Sequence, residues 1–498
     1  MKKSTVAWAW PRVLMIGFTL ACFECTDAAA PADGKRPNFL IMLADDMCWR
    51  DVGFVGHPDV KTPALDGLAA EGMSLFGMYS PASTCSPTRH ALYTGMYCVR
   101  AGAFPNETRA YDGVNSVFTH LQSLGYRVAL QNKEHVGPRA SFPYEYLGKD
   151  ADDFSVTEEF LSRDRAQPWL LVFASNDPHS KWNRGPPKMY DPNRIKVPEY
   201  LHDNATTREL LAAYYAEITR FDEQVDALLR LLDTTGQSQQ TMVLFFSEQG
   251  SSFPFGGKWT LYENGIRATA IVRWPGQIER GSRCDALMQY VDVAPTLIDA
   301  AGGDPGQIDC GCPDANGNRG FDGRSFLSVL TGQAKLFRDY VYAQHTTVGL
   351  TGYRDPYPIR SVRGARYKLI CNLASENRFE IRGLHGSQPY LSWQDDANNG
   401  LNHSDLVTRI EWLSKRPPEE LYDLKNDPLE RHNLAGDPSM VSVRNRLHEK
   451  LQQWMHQQSD EGLATERLAK NRQSESRRAR DSVRPWERPT TDPSLSTK

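Results

Sequence analysis

The chain has 498 residues, enough for two or three domains with sizeable cores. Its 57 Lys and Arg against 61 Asp and Glu leave a net charge of −4, so nothing points to nucleic acid as a partner. A content of 40% hydrophobic and 24% charged residues is that of a globular protein and argues against a disordered chain.

Lys2 and Lys3 precede a short apolar core, Val13–Phe23, and then the small residues Ala28–Ala30. This pattern reads as a signal peptide over residues 1–30, so the mature chain is expected to be exported: periplasmic, extracellular, or lysosomal through a eukaryotic secretory route. The apolar run is too short to span a bilayer and no other is long enough, so no stable membrane insertion is expected. Cys22 and Cys25 fall in the leader. Seven cysteines remain: Cys48, Cys85, Cys98, Cys284, Cys310, Cys312 and Cys371. With Cys85 set apart for chemistry, six are left for disulfides, with no pairing assigned.

Asn38–Ala44 is a continuous apolar run, as expected for a parallel strand covered on both faces. Thr62-Pro63 opens a helix that Glu71-Gly72 closes, and Met73–Tyr79 reads as a strand. Ser86-Pro87 opens the next helix, which Gly95 ends. Tyr126–Leu130, Trp169–Ala174 and Thr241–Phe246 are further strands. A long helix runs between the last two, to about Leu232, and Thr206-Thr-Arg-Glu209 reads as its capping box. This alternation predicts an α/β domain with a mostly parallel sheet, residues 37–337. Short strands at Tyr340–Gln344, Ile359–Val362 and Tyr367–Asn372 and a helix over Met440–His456 predict a smaller C-terminal α+β unit with an antiparallel sheet, residues 338–460. Residues 461–498 are polar and Arg-rich and read as a disordered tail.

Polar residues gather where the apolar strands end, the place where open α/β sheets bind ligands. The ends carry Asp45-Asp46, Lys133 with His135, His179, and Glu248-Gln249. Adjacent buried carboxylates repel unless a cation neutralises them. The oxygen-only donors of Asp45, Asp46, Glu248 and Gln249 favour Ca2+ or Mg2+ over Zn2+. Arg89, Lys133, His135, His179 and Lys258, the last in the glycine-flanked FGGKWT, offer cations and donors suited to a multiply charged oxyanion. Cys85 stands at a helix N-terminus, where an anion is favoured. A thiolate nucleophile suits that place. Yet soft sulfur is a poor neighbour for a hard cation, and an oxygen nucleophile matches it better.

The stretch CSPTR at Cys85–Arg89 resembles the C-x-P-x-R maturation signature of the type I sulfatase family. RPNFLIMLADD, NKEHVGP, GGKWTLYENGIRATAIVRWPG and ELYDLKNDPLERHNLA resemble further segments of that family, in the same order. Within it, KEHVGP, FPYEY, NDPH and PIRSVRGARYKLICNL are similar to the heparan N-sulfatase (sulfamidase) branch. The resemblance implies an alkaline-phosphatase-like α/β/α sandwich, hydrolysis of sulfate esters or sulfamates on a sulfated glycan such as a glycosaminoglycan, and one divalent cation. It also implies that a formylglycine-generating maturation enzyme oxidises Cys85 to formylglycine. The hydrated aldehyde then attacks sulfur and joins Asp45, Asp46, Glu248 and Gln249 at the cation. By the same carry-over, Arg89 stabilises the nucleophile, Lys133, His179 and Lys258 hold the sulfate, and His135 accepts a proton. Three positions depart from the pattern: Glu248-Gln249 replaces Asp-Asn, Asn132 replaces a glycine, and Lys258 replaces the branch's arginine. A phosphonate or phosphodiester hydrolase of the same fold and an inactive carbohydrate-binding relic stand as alternatives.

Overall fold

The structure, a computed structural model, describes Met1, residues 36–400 and residues 403–483. The expected signal peptide lies almost wholly outside them. The larger sheet holds β1 (Asn38–Leu43), β2 (Met73–Tyr79), β3 (Arg127–Asn132), β4 (Glu145–Tyr146), β5 (Trp169–Ala174), β6 (Thr241–Phe246), β7 (Arg267–Arg273), β8 (Ser282–Cys284) and β9 (Met288–Gln289). Its order is β4-β3-β5-β1-β6-β7-β2-β8, with β9 also on β2. Only β7 runs against its neighbours β6 and β2; the other pairs are parallel.

Every residue of β1, β5 and β6 is buried. Alternation splits each strand between two cores. Phe39, Ile41 and Leu43 pack on one face with residues of the Cys85–Thr94 and Val293–Ala300 helices. Leu40, Met42 and Ala44 pack on the other, against the Pro63–Glu71 and Ala205–Thr234 helices. The result is a helix–sheet–helix sandwich.

The second sheet is antiparallel and comprises β10 (Val341–His345), β11 (Ile359–Arg363), β12 (Tyr367–Asn372) and β13 (Glu419–Asp423), in that order. The helix Val441–Gln457 covers one face through Leu447, Leu451 and Trp454. A buried triad ties this sheet to the larger domain: Lys368 Nζ donates to Glu263 Oε1 (3.0 Å) and Glu430 Oε1 (2.7 Å).

Three expectations are corrected. The long helix is capped by Asn204, whose side chain accepts from Thr207 N, and the Thr206 box lies just inside it. None of the seven cysteines is joined in a disulfide. Of the tail expected to be disordered, Leu463–Val483 is a helix, and residues 484–498 lie outside the described residues. Polar composition hid a single anchoring stripe there. Ala469 is fully buried in the cluster with Trp454, and Glu466 accepts from Thr346 Oγ1. Arg472 donates to the carbonyls of Gly102 (3.3 Å) and Arg109 (3.0 Å).

Candidate active site

Register explains why distant polar residues meet. Leu43 of β1 pairs with Ala174 of β5 and Phe246 of β6, and Ala174 pairs with Asn132 of β3. The four strands therefore end level, and Asp45, Lys133, His179 and Glu248 leave the same edge of the sheet. Two antiparallel pairings restore the direction of β2, so the Cys85–Thr94 helix that follows it starts at that edge too. The Lys258 loop joins the end of β6 to the start of β7 there. Its Gly257 has φ +108, and a Cβ would come within 2.1 Å of the Asn264 backbone. Glycine is needed for that close approach.

Cys85 begins its helix and is 4% exposed. Its Sγ lies 3.7 Å from Asp46 Oδ1 and 3.6 Å from Gln249 Nε2, which donates to Asp46 Oδ1 at 2.7 Å. Asp45 and Asp46 are buried and each meets a lysine: Lys133 Nζ contacts Asp45 Oδ2, and Lys258 Nζ contacts Asp46 Oδ2. His179 Nε2 lies 3.2 Å from Lys258 Nζ and 3.4 Å from Asp46 Oδ2. Arg89, fully buried, donates from Nε to Glu248 Oε1 (2.6 Å) and from Nη1 to the Lys133 carbonyl (2.8 Å). All the residues singled out from sequence are thus brought to one place, His135 included, because it faces Cys85.

Electrostatics follow from this packing. Burial raises Asp45, but Lys133, His179 and Arg89 outweigh it and hold the carboxyl well below its usual range. Burial pushes Glu248 well up despite Arg89, since Asp45 and Cys85 add negative charge beside it. Burial and Asp45 raise the Cys85 thiol, while Lys133 and Lys258 draw it down to about 6. Asp46 and Glu248 both sit in the left-handed region, at φ 64 and 63. Such backbone strain in non-glycine residues clusters at functional sites.

The donor set fits a hard cation. Asp45 Oδ1, Glu248 Oε2 and Gln249 Oε1 are buried oxygens with no hydrogen-bond partner. Buried acceptors without partners are costly, and a cation would satisfy all three together. Asp45, Asp46, Cys85 and His179 also bring ligand atoms within 4.8 Å of one another. The extra methylene of Glu248 and Gln249 is taken up by Arg89 and Asp46, which hold one atom of each side chain and leave the other oxygen unpartnered.

Two features were invisible in the sequence. Glu107 Oε1 accepts from His135 Nε2 at 2.6 Å. The intervening 27 residues gave no signal that the two meet. The segment after β3 turns at Asn132 (φ 74) and His135 (φ 54), and that turn aims the imidazole at Cys85 and Glu107.

The sulfatase family pattern matches residues 37–303, more than half of the chain and all the site residues above. This chain belongs to the sulfatase family. A second pattern, the N-sulphoglucosamine sulphohydrolase C-terminal region, matches residues 253–390. An ulvan-active sulfatase of Formosa agariphila is 30% identical over 438 residues, covering 86% of this chain and 82% of that one. Human N-sulphoglucosamine sulphohydrolase is 26% identical over 489 residues, covering 87% and 94%. The sulfatase shares its fold with a protein solved in complex with its substrate D-glucosamine-2-N,6-O-disulfate: TM-score 0.63 at 19% identity, over 86% of this chain and 99% of that one. The sandwich is therefore of the alkaline-phosphatase-like type, and the resemblance to the sulfamidase branch is borne out.

Proposed function

We propose that this sulfatase is an exported enzyme that removes sulfate from a sulfated glycan, using Cys85 in its formylglycine form and one Ca2+ ion. The observation that carries the reading is the pair of donor sets gathered around Cys85. Unpartnered oxygens of Asp45, Glu248 and Gln249 make up one, and Lys133, Lys258 and His179 make up the other. The first set suits a hard cation and the second the anionic sulfate group of a substrate. Relatives named for ulvan and for N-sulphoglucosamine support a sulfated carbohydrate as substrate.

The cation, held by Asp45, Asp46, Glu248 and Gln249 with the converted Cys85, would supply Lewis-acid chemistry. The converted Cys85 would supply the hydroxyl nucleophile once the maturation enzyme has acted. Lys133 and Lys258 then neutralise and orient the sulfate oxygens. His179 donates Nδ1–H to the Ser180 carbonyl (2.5 Å), which leaves Nε2 beside Lys258 to serve the leaving group. Arg89 bridges Glu248 and the Lys133 backbone and holds the two in fixed relation. His135, raised by Cys85 and Glu107 against the downward pull of burial, is the base on the nucleophile side.

The test has two steps. Mass spectrometry of the tryptic peptide Thr62–Arg89 from natively secreted protein should show Cys85 having lost sulfur and two hydrogens and gained one oxygen. That material should release inorganic sulfate from N- and O-sulfated glucosamine or ulvan fragments, and little phosphate from aryl phosphates. An unmodified thiol in active enzyme, or faster release of phosphate than of sulfate, overturns the reading.

A further inference from the structure

Apart from the Cys85 group, the small sheet carries a second cluster of ligand-type side chains. Cys371 of β12 and Glu419 of β13 are directly paired across the antiparallel ladder, so their side chains share a face. That face is covered by the helix Val441–Gln457, which brings in His448. One ligand atom from each residue, the thiol sulfur, an imidazole nitrogen and a carboxylate oxygen, lies within 4.8 Å of the others. His448 Nε2 and Glu419 Oε1 are 3.2 Å apart. A tetrahedral ion with bonds of about 2.0–2.3 Å needs ligand atoms about 3.5 Å apart, so the set closes with small side-chain movements.

We propose that Cys371, Glu419 and His448 form a binding site for Zn2+ or a similar borderline-soft divalent cation. A mixed sulfur, nitrogen and oxygen donor set selects such an ion over Ca2+ and Mg2+, which take oxygen alone. The three residues stand on two strands and a helix, so the site is rigid where a loop site would not be. Access is one-sided. Cys371 is 6% exposed and packed among Leu369, Leu421 and Leu447, whereas the side chains of Glu419 and His448 are 31% and 38% exposed. An ion therefore enters from solvent over the carboxylate and imidazole and meets the thiol at the bottom. Arg444 Nε stands 3.8 Å from Glu419 Oε2, which occupies that oxygen and leaves Oε1 for the ion. Burial, Glu419 and Glu420 push the Cys371 thiol up to about 12, so the sulfur is protonated until the ion displaces its proton to solvent. Water or an external ligand fills the fourth position. The bound ion pins the helix Val441–Gln457 to the sheet, and none of its ligands takes part in sulfate hydrolysis.

Cobalt substitution tests this directly on the full secreted chain. Co2+ added to purified protein should produce a near-ultraviolet sulfur-to-cobalt charge-transfer band that Zn2+ displaces. The band should persist in Cys85→Ala and disappear in Cys371→Ser. Zn2+ should raise the melting temperature of the parent and of Cys85→Ala, and this rise should be lost in His448→Ala. His448→Ala keeps the thiol core intact and decides the matter if Cys371→Ser folds poorly. Absence of the band, or a band that follows Cys85 and ignores both Cys371 and His448, overturns the proposal. Absence of the band leaves the reading of the Cys85 site standing, whereas a band that follows Cys85 reports an unconverted thiol there and counts against that reading too.

Discussion

Removing Glu107 should slow the reaction without weakening substrate binding. Its carboxylate accepts from His135 Nε2 at 2.6 Å and holds the imidazole toward Cys85. A hydrogen bond to a charged group contributes about 1.5–3 kcal/mol. The Glu107 side chain is 39% exposed, so solvent screening favours the lower end, about 1.5 kcal/mol. Glu107→Ala should therefore lose about tenfold in kcat. KM should hardly move, because His135 handles a proton while the lysines hold the sulfate. Glu107→Gln keeps an acceptor and loses only the charge, so it should fall between parent and Glu107→Ala. Steady-state sulfate release, alongside the Cys85 peptide mass to verify equal maturation, measures both variants. The argument fails if Glu107→Ala stays within about twofold of the parent in kcat, or if the loss appears in KM instead.

Cys85→Ser should give at most a stalled, sulfated protein, since a serine ester has no second hydroxyl to expel sulfate; multiple turnovers measured by sulfate release would contradict this. Lys368→Met leaves Glu263 and Glu430 buried without their shared cation, and should cost about 3–5 kcal/mol of stability in urea titration. Stability should also depend on pH through Glu430. Burial pushes it up to about 7 against Lys368, with Glu263 adding to the rise. A raised folded pKa means that protonation favours the folded state. The contribution is full below the unfolded value of about 4.3 and is lost as pH rises through 7. Glu430→Gln should flatten that decline in melting temperature between about pH 4 and 7. Glu263 acts in the other direction and in another window. Burial alone would raise it, but Lys368, Arg363 and Arg267 lower it to about 2, so its contribution fades only as acid is added below the ordinary carboxylate range.

Much of the architecture was legible because the signals were local. Trp169–Ala174 and Thr241–Phe246 are strands at the boundaries their apolar runs suggested, since strands buried on both faces show no polar interruption. The Cys85–Thr94 helix was legible from its proline near the start and its glycine at the end, where Gly95 takes φ 66. β13 was harder. Glu419–Asp423 holds three acidic residues in five, and Glu420 is buried only because Tyr262 and Asn372 from other elements, and Tyr422 of the same strand, donate to it. The helix over Leu463–Val483 was missed for a similar reason. Its composition is that of a solvated tail, and what orders it is a loop some 370 residues earlier in the chain.

The sequence by itself determined the chemistry available: carboxylates, lysines and histidines at the ends of apolar strands, and one cysteine at a helix start. Strand ends are dictated by hydrophobic period and helix starts by capping, and both are read within a few residues. Only the tertiary structure decided which of these groups touch. The level register of β3, β5, β1 and β6 brought Lys133, His179, Asp45 and Glu248 to one edge. Hydrogen bonding then divided the donors: one atom of Glu248 went to Arg89 and one of Gln249 to Asp46, leaving unpartnered oxygens for a cation. Pairings such as His135 with Glu107 join side chains whose separation along the chain carries no periodicity, so only the folded packing could reveal them.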